Sequence, residues 1–141
     1  MSFTGLDAFD TTVHKTSVWL DEMMHETHCG DRRRAYLELR AVLHALRDRL
    51  TMEEAVNLGA QLPMLVRGFY YEGWHPSGKP LKYRSKEEFL EHVARELPRV
   101  PPEDLEQISE AVFKVLSHHI DGGEVTQARN QLPSGVRELW H

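Results

Sequence analysis

Three side chains able to bind a metal or attack a substrate lie close together early in the chain: His25, His28 and Cys29 in HETHCGD. On a helix they would stand at i, i+3 and i+4 and share one face. Imidazole nitrogens and a thiolate are ordinary zinc ligands. Yet only two residues separate His25 from His28, which differs from the paired histidines of zinc proteases. Gly30 follows at once and favours a helix end, which would scatter the three side chains. No third group is in sight to orient a Cys29 nucleophile with His25 as its base. The expectation is a polar helix end, with no metal, no cofactor and no catalytic residue.

Other constellations carry charge or aromatic area. In DRRR, Arg32 to Arg34 would open a helix, where the macrodipole disfavours positive charge. Asp21, Glu22 and Glu26 on the preceding helix are candidates to compensate, and a bound phosphate or a partner's carboxylate is the alternative. Arg67 and Arg137 each follow a Gln-Leu-Pro, and Glu54 and Glu124 stand upstream of them. Each Arg is expected to lay its stem across a helix break and bond Glu or free carbonyls there. The other reading is an anion site. Between them, Phe69, Tyr70, Tyr71 and Trp74 fall within six residues of a chain that is 9% aromatic. Such a segment either staples the molecule internally or offers a partly exposed surface for a partner or ligand. The candidate binding residues are therefore Arg67, Tyr70, Tyr71, Trp74 and Arg137. His44, His92, His118 and His119 are scattered and read as surface or half-buried polar residues.

The elements that must position these groups are helical. Phe9, Val13, Thr16, Leu20 and Met23 step by three and four, as one stripe of an amphipathic helix does. Asp31 can cap a second helix carrying Tyr36, Leu39, Val42, Leu43, Leu46 and Leu50. In TMEE, Thr51 and Glu54 form a capping box, with Leu50 and Ala55 as its staple. Pro63 breaks that helix and suits the start of the next.

Seventy positions on, the same grammar returns. Ala111, Val112 and Leu116 answer Ala41, Val42 and Leu46; Asp121 and Glu124 answer Thr51 and Glu54; and QLPSGVR from Gln131 answers QLPMLVR from Gln61. The shared positions are caps, core residues and the helix break. Ser85 and Glu88 make a further capping box at the head of the second set. The reading is all-α: two tandem four-helix units, an internal duplication with an offset of about 70, packed into one helical domain spanning residues 1–141. The halves are 1–71 and 85–141, joined by a linker at 72–84 that is punctuated by Gly73, Pro76, Gly78 and Pro80.

With these strings in view the chain resembles a known family. YLELRAVLHALRDRL, AQLPMLVRGFYYEGW, and HPSGKP before EEFL resemble a bacterial family catalogued as domain of unknown function 2267. The resemblance runs from about Phe9 to Trp140. It implies an all-helical cytosolic domain and brings no reaction, cofactor or catalytic residue with it.

Composition narrows the function class. The net charge of −5 argues against nucleic acid as a partner. No apolar run approaches the roughly 20 residues of a membrane helix. A lone cysteine, Cys29, fits a reducing compartment, so a cytoplasmic location is expected. An interaction or self-association module is the first expectation, recognising an unknown protein or a second copy through the aromatic segment. A small-molecule or anion binder, with a pocket between the halves, is the alternative.

Overall fold

The computed structural model describes residues 2–141. Among them the chain forms eight α-helices and no strand: α1 (Asp7–Thr27), α2 (Arg32–Arg49), α3 (Met52–Ala60), α4 (Met64–Tyr71), α5 (Lys86–Glu96), α6 (Pro102–His119), α7 (Gly122–Asn130) and α8 (Ser134–Arg137). The all-α expectation holds. Both ends of α6 lie 70 positions beyond those of α2, as do both ends of α7 beyond those of α3. The helices α1 and α5 do not follow this rule, since α1 has 21 residues and α5 has 11.

The starts of the helices are set by side chains that take up free backbone N–H groups. Asp31 Oδ1 accepts from Arg33 N at 3.0 Å. Thr51 Oγ1 accepts from Glu54 N at 3.2 Å, Ser85 Oγ from Glu88 N at 3.1 Å, and Asp121 Oδ2 from Gly123 N at 3.0 Å. The capping box at Thr51 is incomplete, however. Its backbone N–H is taken by Gln131 Oε1 at 2.9 Å, not by Glu54. The matching bond runs the other way: Asp121 N donates to Gln61 Oε1 at 3.2 Å. Each Gln of a Gln-Leu-Pro thus closes the start of the other short helix of the α3–α7 contact.

The long helices α2 and α6 pack on each other at the centre, and α1 and α5 each lie against both. α3 meets α7 at one end of this core. Leu39, Leu43, Leu46, Val112, Phe113 and Leu116 are fully buried along the central pair. Phe113 stacks on Trp140 with ring centroids 4.6 Å apart, which ties the last residues of the chain to α6.

The buried face of α1 departs from the expected stripe. Thr12, Thr16, Trp19 and Met23 are the buried residues, while Phe9 remains 49% and Val13 38% exposed. Local hydrogen bonds explain why threonines can enter. Thr16 Oγ1 donates to Thr12 O at 2.7 Å, and Thr12 Oγ1 accepts from Leu65 N at 2.9 Å. A hydroxyl satisfied in this way loses most of its burial penalty.

Candidate functional site

The end of α2 fixes the aromatic segment. Arg40, His44 and Arg47 recur at spacings of four and three on one side of that helix. His44 is 5% exposed, so it is a buried residue and not the surface or half-buried one expected. Its Nε2 donates to Phe69 O at 2.6 Å and its Nδ1 lies 2.8 Å from Glu96 Oε2. Arg47 donates through Nη1 to Tyr70 O and Glu72 O, at 2.8 and 3.0 Å, and through Nε to Asp48. Arg40 bridges Glu72 and Glu96, each at 2.7 Å. The last carbonyls of α4, which have no partner within their own helix, are thereby satisfied by side chains of α2. The i, i+4, i+7 run of basic residues was the sequence signal for this clasp.

Within the segment, Phe69 and Tyr70 are buried and Tyr71 and Trp74 are half-buried against the core. The Tyr70 hydroxyl donates to Ala55 O at 2.7 Å inside the core. Burial pushes its pKa far above the phenol range. Tyr71 leans on Tyr70 and stacks on Trp74, with centroids 4.9 and 5.5 Å away. The Tyr71 hydroxyl approaches α3 at Gly59, where a Cβ atom would sit only 2.3 Å from it. Trp74 Nε1 is buried without a hydrogen-bond partner.

The two arginines behave differently. Arg67 spans the α3–α4 break, donating through Nε to Gly59 O and through Nη2 to Leu62 O, both at 2.9 Å. It takes the free carbonyls and leaves Glu54 alone. Arg137 is half-buried, and its side chain makes no hydrogen bond among the described residues. At the α7–α8 break Arg129 does the comparable work, donating to Trp140 O at 2.7 Å and to Arg137 O at 3.3 Å. Arg67, Tyr70 and Tyr71 thus meet around Gly59, while Arg137 stands at the end of α8.

Glu54 and Glu124 turn out to be partners of each other. They are 6% and 8% exposed, on α3 and α7. Their helices pack on each other, and the Glu54 side chain lies near enough to raise the Glu124 carboxyl. Oε2 of each is buried with no N–H or O–H donor of the protein in reach. A negative charge on Glu124 is disfavoured beside the Glu54 carboxyl in a buried contact. Burial first, then the neighbouring Glu54 side chain, push the Glu124 carboxyl up to about 8.

HETHCGD does not form a cluster. α1 ends at Thr27, and His28 takes a left-handed backbone conformation with φ 56°. The charge of DRRR is met in part by α1, through Arg32 Nη1 to Asp21 Oδ1 at 2.5 Å. Arg34 instead holds the fully buried Glu38, Nε to Oε2 at 3.0 Å.

Exposed apolar side chains gather elsewhere. Phe3, Leu6, Phe9 and Val13 line the start of the chain and of α1, and Met64 and Leu65 open α4. The Leu65–Thr12 hydrogen bond sets these two stretches side by side.

A family model described as "Uncharacterized conserved protein (DUF2267)" matches residues 16–139. The chain belongs to the DUF2267 family. The match takes in α2 to α8, including the clasp on α4 and the Glu54–Glu124 pair, and begins after Phe9 and Val13. No curated protein matches this DUF2267 chain. Among the described residues no helix is long and apolar enough to cross a membrane.

Proposed function

We propose that the domain is a non-catalytic interaction module of the bacterial cytoplasm, built by internal duplication, which self-associates through the apolar surface of α1 and α4. The observation that carries this reading is the exposure of Phe9 and Val13 beside Met64 and Leu65. The aromatic segment that the sequence offers for the same role is mostly packed, and its carbonyls are held by His44 and Arg47. Contiguous apolar surface beside a polar rim is what a protein contact uses. A two-fold pairing would cover the same patch on both copies at once.

Sedimentation velocity over a wide concentration range tests this. A mass that rises toward twice 16.3 kDa, and falls back when Phe9 and Leu65 are both replaced by Ser, supports it. A wild-type protein that stays monomeric at the highest attainable concentration sinks it.

A further inference from the structure

A cavity of about 700 Å³ opens between the start of α2, the end of α5 and the loop that leads into α6. Its size falls within the roughly 300–1,000 Å³ of small-molecule sites. Leu37, Leu97, Val100 and two prolines of the 98–101 loop give it an apolar wall. Three guanidinium groups line it as well: Arg33, Arg34 and Arg99.

Two of the three acids at this cavity are already engaged, and Asp104 is the one without a hydrogen-bond or ion-pair partner among the described residues. Asp31 accepts from the amides of Arg33 and Arg34. Glu96 is held by Arg40 and His44. Arg34 is bound to Glu38, and Asp104 adds to the negative field around it. Arg33 and Arg99 are left: both are exposed and neither has an ion-pair partner among the described residues. The start of α2 disfavours a cation at Arg33, so an anion placed there would relieve an existing cost.

We propose that this cavity binds a small amphipathic acid, with its carboxylate between Arg33 and Arg99 and its apolar body against Leu37, Leu97 and Val100. A guanidinium pair suits a carboxylate through paired N–H donors. The apolar wall selects against small inorganic anions, which have nothing to bury there.

Calorimetric titration with sodium decanoate tests the proposal, with decanol, decylammonium and inorganic phosphate as comparison probes. Saturable one-to-one binding of decanoate is expected. The double variant Arg33→Ala with Arg99→Ala should weaken it about tenfold or more, and its melting temperature should match that of the parent. Failure of decanoate to saturate below a few millimolar would overturn the proposal. So would an unchanged affinity in the double variant, or decylammonium or phosphate binding as tightly as decanoate. These outcomes do not depend on whether the protein self-associates through α1 and α4.

Discussion

Glu54 and Glu124 meet in the buried contact between α3 and α7, where burial and the neighbouring Glu54 push the Glu124 carboxyl up to about 8. Asp121, the cap of α7, adds negative charge to the pair. Tyr70 comes from α4 as a neutral phenol whose hydroxyl is already donated to Ala55. No cation joins the carboxyls by hydrogen bond or ion pair among the described residues.

This pair makes stability depend on pH in the sense opposite to a salt-bridged carboxylate. The Glu124 carboxyl ionises near 4.5 when unfolded and near 8 when folded. Below 4.5 both states hold the proton, and its contribution is fully present. Between those values the folded state holds a proton that the unfolded state has released, so stability falls as pH rises. Above 8 the loss is complete. Urea unfolding from pH 5 to 9 should show a fall of about 1–3 kcal/mol. Glu124→Gln keeps a hydrogen-bond donor without the ionisation and should flatten that slope. An equal slope in the variant would assign the pH dependence to other groups.

Thr51 is tied both to its own helix and to Gln131 at the end of α7. Thr51→Ala should cost about 0.5–2 kcal/mol, as for a lost N-cap. Gln131→Ala should cost about 0.5–1.5 kcal/mol for its bond to the Thr51 amide. Because the two side chains also touch, at 3.3 Å, the double variant should fall short of the sum. Strict additivity in denaturant unfolding would argue against that contact.

Gly59 is small because Tyr71 needs the space. Gly59→Ala gains about 1 kcal/mol of helix propensity, yet its Cβ would stand 2.3 Å from the Tyr71 hydroxyl and 2.8 Å from the ring. The ring must move off Trp74, so the variant should be less stable by about 1–3 kcal/mol and shift the tryptophan fluorescence. A Gly59→Ala protein as stable as the parent, with unchanged fluorescence, would show that Tyr71 is free to rearrange.

His44 holds the end of α4 through the Phe69 carbonyl. Its replacement by Leu keeps bulk but strands that carbonyl and leaves Glu96 to Arg40 alone. A loss of about 1–3 kcal/mol is expected, with faster hydrogen exchange along α4. Exchange that stays as slow as in the parent would place the restraint on Arg47 instead.

Much of this architecture was legible because its signals are local. Thr51, Ser85 and Asp121 announce helix starts through side chains that reach only two or three residues ahead. Pro63 and Pro133 mark the breaks, each standing just ahead of a new helix. The face of α1 was read correctly at Thr16 and Met23 and misread at Phe9 and Val13, because hydropathy favours these two over Thr12. The Thr12 hydroxyl is consumed by the Leu65 amide, and burial follows. The Glu54–Glu124 contact was out of reach for a different reason. Each Glu looked like the second member of a capping box, and only the meeting of α3 with α7 turns them toward each other. At the aromatic segment the residue types were visible but the restraint was not, since it is supplied by α2.

The crossed glutamine bonds, Gln61 to Asp121 and Gln131 to Thr51, bear on how the chain can be taken apart. A cut in the segment between α4 and α5 would leave two fragments, each carrying the glutamine that the other one lacks. Neither fragment can complete the start of its own α3 or α7 without its complement. Mixed together, they should reconstitute one another as a two-piece protein, whereas either alone would present an open amide and a lone glutamate to water.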